Sequence, residues 1–387
     1  MQCIMNGRWV DSSDKSTMNI VNPYTGKVMY TVPNCTVKDA NKAVEYAKKA
    51  QPAWAKVPVH QKVDILQRFL DLVDENKNDL AKTLSLETGK PITQAYGEIA
   101  NIRIGFEAFM ERAKHLYGST IPAGTEAGQE KTLQFTVREP LGVMVAIIPF
   151  NFPCDLFDQK VAPAILAGNT IIVKPPHQNP GVLIKLVALL HEAGLPKAVV
   201  QCLTGEGDKV GNALTSHKDV HGITFTGSTR VGKITYKNGA EHLAHVALEL
   251  GGNDAFIVLE DADIDLAVEE VIWGRMYNTG QVCCASKRFI VVRSVLKEFE
   301  DKLKERLSKL VITNPQAKKC EIGVLVTKQA CEHAVEQIKT AVKQGGKVIY
   351  GGKSNGAYLD PTIITNIPKT ADVANDEEIF APVVSII

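Results

Sequence analysis

The chain has 387 residues, of which 45% are hydrophobic, 22% charged and 6% aromatic. This is ordinary globular composition, and at roughly 150 residues per domain it implies two or three domains rather than a fibrous or disordered chain. Lysine plus arginine number 44 and aspartate plus glutamate 43, for a net charge of +1, so no global field favours nucleic acid or an anionic membrane.

No apolar run approaches the ~18 residues of a membrane span. Met1 to Val10 already carries Asn6, Gly7 and Arg8, and no signal-peptide core follows it. A soluble, cytoplasmic chain is therefore expected. The eight cysteines form no CxxC pair and no zinc-spaced cluster with histidine, so neither a disulfide framework nor a metal site is indicated. His242 and His245 lack a third ligand. Most of the thiols read as small buried hydrophobes in a reducing compartment.

Taken in chain order, short strands at Met5 to Val10 and Lys27 to Val32 precede a helical region reaching Gly118. Thr36 and Asp39 have the spacing of a capping box. Ala40, Ala43, Val44 and Ala47 then form one stripe of a helix, and Val63, Leu66, Phe69, Leu70 and Val73 another. Gly89-Lys90-Pro91 reads as a helix stop, because the upstream glycine and following Ser/Thr of a phosphate loop are missing. Leu133, Phe135 and Val137 alternate with polar residues and predict a half-buried strand. Beyond it, apolar runs at Val143–Ile148, Thr170–Val173, Val199–Leu203, Gly222–Thr226, Val246–Leu250 and Ala255–Val258 alternate with helices starting near Pro153, Pro180, Asp208 and Arg230. That alternation predicts βαβ units around a parallel sheet. A second α/β region follows Ile264, with helices at Lys297–Leu310 and Gln329–Gln344.

Three groups of residues suggest chemistry. Gly280-Gln281-Val282-Cys283-Cys284 could bring a thiol nucleophile into a cleft, or could be a buried inert pair. Glu249, at the end of an apolar strand beside Gly251 and Gly252, is expected in an apolar setting where a raised pKa would suit a general base; a salt-bridge partner is the alternative. Asn151, between Pro149 and Pro153, could donate to an oxyanion or merely organise a turn. Gly227 to Gly232, at a strand end and helix start, suits a phosphate, with Gly205-Glu206-Gly207 a weaker case.

Together, Phe150-Asn151-Phe152-Pro153, Lys174-Pro175-Pro176, Phe225-Thr226-Gly227-Ser228-Thr229, Glu249-Leu250-Gly251-Gly252, Gly280-Gln281-Val282-Cys283 and Glu377 to Pro382 occur in an order that resembles the aldehyde dehydrogenase superfamily. The likeness runs from Gly7-Arg8-Trp9-Val10 to the last residue. It implies an α/β fold with a Rossmann-type cofactor domain (1–117 and 141–252), an oligomerisation arm (118–140) and a catalytic domain (253–387). It also implies Cys283 as nucleophile, Glu249 as general base, and Asn151 with the Cys283 N–H as oxyanion donors. NAD or NADP would lie along Ile148, Pro149, Phe150, Lys174, His177, Gly207, Gly227, Ser228, Gly232, Leu250, Glu378 and Phe380. Members of the family usually have Glu at the position of His177 and Lys at that of Asn253. They also continue past the segment where this chain ends, so the resemblance implies a C-terminally incomplete chain. The implied activity is oxidation of an aldehyde to an acid by a homodimer or homotetramer. A coenzyme A-acylating enzyme and a catalytically silent pseudoenzyme are the alternatives. Phe150, Phe157, Tyr277 and Val282 are candidate pocket residues, and Arg103 either meets an anionic substrate or forms a surface salt bridge.

Overall fold

The computed structural model describes residues 1–387 and contains two main sheets. In the first, five parallel strands run in the order His245–Glu249, Gly222–Thr226, Val143–Ile147, Thr170–Lys174, Val200–Cys202. The antiparallel hairpin Cys3–Met5/Arg8–Val10 completes it. The chain leaves Val143–Ile147 in one direction and later returns to its other side with Gly222–Thr226. This places a topological switch point between the carboxyl ends of those two strands, where α/β sheets open a crevice for ligands.

Helices cover both faces. Thr36 and Asp39 form the capping box of helix Val37–Ala55, and Ala40, Ala43, Val44 and Ala47 are fully buried. Leu66, Phe69, Leu70 and Val73 are likewise buried on helix Val59–Glu75. The stripe Ala95, Ile99, Ile102 and Phe106 of helix Ile92–Ala113 packs on helix Pro153–Leu166, where Phe106 faces Phe157 with ring centroids 6.3 Å apart. Phe157 is thus part of the core and does not line a substrate pocket as expected. Its neighbours on helix Ile92–Ala113 fill the space.

The second sheet has the order Asp254–Val258, Ser286–Val291, Val383–Ile386, Thr362–Thr365, Lys347–Tyr350, all parallel except the last. Helices Arg293–Ser308 and Lys328–Lys343 accompany it.

Three expectations need correction. The Leu133–Val137 strand is reduced to Gln134–Phe135 pairing with Thr120–Ile121, and Leu133, Phe135 and Val137 are all exposed, because no layer lies against this ribbon. The helix expected from Asp208 is a π-turn at Gly207–Gly211 followed by one α-turn, Asn212–Thr215. The strand carrying Glu249 lies at the sheet edge, so Glu249 is exposed rather than in an apolar setting. No helix is long and apolar enough to cross a membrane.

Candidate active site

The loop before strand Ser286–Val291 carries Cys283. Its approach is unusual backbone: Asn278, Thr279 and Gly280 all have positive φ (49°, 56° and 74°). A β-branched residue there is strained and persists only where its surroundings hold it. They do: Thr279 Oγ1 accepts the Gly323 N–H at 3.2 Å, and the Asn278 N–H donates to Gln94 Oε1 at 2.8 Å. Gly280 has no alternative, since a Cβ would collide with the backbone of Ala381. The loop is thereby pressed onto the Glu378–Pro382 segment.

Arg275, 1% exposed, tightens the same junction by donating to Gly280 O (3.3 Å), Ile379 O (2.5 Å) and Val383 O (2.6 Å). Burial lowers its pKa to about 9, and nearby Glu378 opposes that fall. Cys283 is half-buried while Cys284 is exposed. Burial, then neighbouring Cys284, hold the Cys283 thiol above its ordinary range, and Lys287 works in the opposite direction. The thiol is therefore protonated at neutral pH and needs a base or an activating charge. The other six cysteines are buried.

Asn151 is buried at the start of helix Pro153–Leu166, with Nδ2 donating to Gln281 O at 3.1 Å. This seats the amide against the cysteine loop with one N–H still free to donate. Its own carbonyl accepts from Asn278 Nδ2 (2.9 Å) and Lys90 Nζ (2.8 Å). Lys90 also pairs with Glu98, whose other oxygen takes the Cys154 N–H at 2.8 Å. The Gly89 stop is real, but Lys90 is fully buried behind Asn151 and was missed in the sequence. A signal existed in Glu98, a carboxylate three residues after Ala95 on the apolar stripe of its helix.

Most of the residues expected to hold the cofactor lie at the carboxyl ends of the parallel strands. Ile148, Pro149 and Phe150 follow strand Val143–Ile147, and Phe150 meets Phe380 edge-on at 5.9 Å. Ser228 caps helix Thr229–Ala240 by accepting the Val231 N–H, leaving the other first-turn N–H groups free for an anion. A Cβ on Gly232 would strike Leu250, so glycine lets this helix lie close to the sheet. Gly227 N–H donates to Glu249 O at 3.1 Å, tying the phosphate turn to the strand carrying the carboxylate. Thr226 Oγ1 is buried there without a partner. Lys174 ends its strand, and burial lowers its pKa to about 8. His177 faces solvent beside it. Partial enclosure of the ring, then repulsion by Lys174, hold its pKa below the ordinary value. Gly207 is exposed at the rim.

Glu378 lies beside Gly251, two residues after Glu249, filling the space that a Cβ on Gly251 would occupy. Lys160, another residue missed in the sequence, is buried with its charge near Glu249. Burial brings its pKa down to about 8, with Glu249 opposing the shift, and its Nζ donates to Thr224 Oγ1 at 3.1 Å. Tyr277 stacks on Phe152 at 6.0 Å. Arg103 does not belong to this site: it pairs with Asp71, Asp74 and Glu107 on the surface.

The family model described as "Aldehyde dehydrogenase family" matches residues 9–387. The chain is 39% identical over 382 residues to glutarate-semialdehyde dehydrogenase of Pseudomonas putida, covering 98% of this chain and 78% of that protein. It is 36% identical over 384 residues to the NADP(+) succinate-semialdehyde dehydrogenase of Escherichia coli, covering 98% and 79%. A crystal structure of betaine aldehyde dehydrogenase from Staphylococcus aureus with NAD+ superposes with a TM-score of 0.96 at 31% identity, covering 100% of this chain and 77% of that one. The chain belongs to the aldehyde dehydrogenase family.

Proposed function

We propose that the chain oxidises a small aldehyde to its carboxylic acid with NAD or NADP, using Cys283 as nucleophile. The observation that carries this is the Asn151 amide seated on the Cys283 loop, which puts an oxyanion donor beside the only half-buried thiol. The free N–H groups at Ser228, the unpartnered Thr226 hydroxyl, Lys174 and the Glu378–Phe380 segment fit a dinucleotide in the crevice. When bound, the cofactor supplies the hydride acceptor. Cys283, having lost its proton to solvent water, attacks the carbonyl carbon as the thiolate, and Asn151 with the Cys283 N–H holds the oxyanion, an effect of roughly 3–4 kcal/mol per donor. Loss of hydride leaves a thioester on Cys283. Glu249 then takes a proton from water, which attacks the thioester and releases the acid and the thiol. Absorbance of the reduced nicotinamide with a panel of small aldehydes, with and without coenzyme A, tests this reading. Reduction with no aldehyde overturns it, and dependence on coenzyme A favours the acylating alternative.

The two sheets support assigning 1–117 and 141–252 to a cofactor domain and 253–387 to a catalytic domain, with 118–140 as an arm. The arm exposes Leu133 (78%), Phe135 (65%) and Val137 (65%) in an apolar strip suited to another subunit. We propose that the chain acts as a homo-oligomer in the cytoplasm. Phe135→Asp should lower the mass seen by light scattering to that of a monomer; unchanged assembly would remove the arm from the interface.

Cofactor choice turns on His177. Its lowered pKa favours the neutral ring at pH 7, so residue 177 itself adds no negative charge against a 2′-phosphate, and Lys174 stands opposite the nearby carboxylates of Asp208 and Glu206. NADP should be accepted, and increasingly so as pH falls through the pKa of the imidazole. His177→Glu should lower kcat/KM for NADP relative to NAD by roughly five- to tenfold, since a like charge ~4 Å away costs on the order of 1 kcal/mol at an exposed site. An unchanged ratio would show that residue 177 does not read the phosphate.

A further inference from the structure

Lys287 occupies an inward-facing position of strand Ser286–Val291, in the same alternation as buried Phe289 and Val291. Its side chain is 2% exposed. An ammonium is expensive to bury unless paired, and here it has two partners. Nζ donates to the backbone carbonyl of Cys283 at 2.5 Å and stands 3.0 Å from Glu378 Oε1. One charge therefore touches both the main chain of the cysteine and a carboxylate from a segment nearly a hundred residues further on. That segment is held independently by Arg275 on Ile379 O and by Asn253, which donates to Val373 O and Asn375 O. Lys287 thus bridges two anchored elements.

We propose that Lys287 is a positioning residue that fixes the Cys283 loop and the Glu378 carboxylate relative to each other and keeps a positive charge beside the thiol. The inference rests on the roles proposed above for Cys283 as nucleophile and Glu378 as a cofactor-holding group. The ammonium donates to the Cys283 carbonyl while its charge faces the Glu378 carboxylate, so one nitrogen serves both. Its charge favours the thiolate, against the effects of burial and Cys284. The other charged groups around the loop do not substitute for it. Glu378 is negative, Glu249 is exposed on its edge strand, Lys90 behind Asn151 is already paired with Glu98, Arg275 is turned to the carbonyls of Gly280, Ile379 and Val383, and Arg288 to those of Asn253 and Ala374. Loss of Lys287 should therefore change thiol reactivity and cofactor binding together, a pairing that a merely structural role would not produce.

The test uses the Cys284→Ser protein, so that one thiol of the loop reports, and follows alkylation of Cys283 by iodoacetamide against pH. Steady-state KM and kcat are measured alongside, and folding is checked by circular dichroism. Lys287→Met should raise the alkylation midpoint by roughly half to one pH unit and raise the cofactor KM about fivefold or more. Lys287→Arg, which keeps the charge, should restore the midpoint. A folded Lys287→Met protein with the parent's midpoint or the parent's KM overturns the proposal, because one ammonium group must move both. If Lys287→Met does not fold, Lys287→Gln carries the same test, and an unchanged midpoint or cofactor KM in that variant overturns the proposal. Cys283→Ala separates this from the underlying reading: turnover in that variant would sink the nucleophile assignment itself, whatever Lys287 does.

Discussion

Cys283→Ala should lower kcat by on the order of 10⁴- to 10⁶-fold, the range seen when a covalent nucleophile is removed. Cys284→Ala should leave it within about threefold. The two thiols are adjacent in sequence, yet they differ in setting. Cys283 is half-buried with its carbonyl on Lys287, whereas Cys284 is exposed. The raised thiol pKa gives the parent enzyme a further signature. Below that pKa the reactive thiolate is the minor form, so the rate of the first turnover should climb as pH rises from neutrality and level off once the thiol has ionised. Asn151→Ala should act differently, losing roughly 10²- to 10³-fold at every pH, because it removes a donor to the oxyanion and not the sulfur. Single-turnover rates across pH for the three variants decide the matter. Equal losses at Cys283 and Cys284 would show that the loop, and not one sulfur, had been damaged.

The parts of the site that the sequence disclosed are those where backbone form and residue type coincide. Runs such as Val143–Ile147 and Thr170–Lys174 are apolar on both faces because helices cover both, and their alternation with helices makes the parallel order readable. The short hairpin partner Thr17–Val21 escaped, since only Ile20 of its five residues is buried and its pattern gives little periodicity. The Leu133–Val137 alternation was visible but pointed to a half-buried strand. Periodicity records which residues could be covered and says nothing of what covers them.

Chemistry divides in the same way. Cys283, Asn151 and Ser228 stand beside glycines and prolines that mark strand ends. Lys90, Arg275 and Lys287 have no such marker, for a lysine or arginine reads as surface until a tertiary partner buries it. Arg275 is satisfied by three carbonyls contributed by the cysteine loop and the segment from Ile379 to Val383, an arrangement no local pattern encodes. Glu249 shows the reverse error. Val246, Leu248 and Leu250 made its strand apolar and predicted an apolar setting for the carboxylate, but the topology makes the strand an edge.

That exposed position sharpens what Glu249→Gln should do. A carboxylate at a sheet edge is well placed to activate water, and attack on the aldehyde and hydride transfer need no water. The variant should therefore show a burst of reduced cofactor near one equivalent per active site, followed by turnover slowed by roughly 10²- to 10⁴-fold, the usual worth of a general base. Cys283→Ala should abolish the burst, since no thioester can form. If Glu249 also draws the proton from Cys283, the burst in Glu249→Gln will be slower at neutral pH and recover as pH rises past the thiol pKa. Lys160, whose charge lies near Glu249, provides an internal check. Losing the carboxylate removes the interaction that supports its protonated form, so Lys160 should titrate lower in Glu249→Gln than in the parent. Stopped-flow absorbance with excess aldehyde measures burst and steady state together. Full steady-state turnover in Glu249→Gln would take the carboxylate out of the reaction. A burst followed by turnover only when coenzyme A is added would mean that the thioester is passed to a thiol acceptor rather than to water.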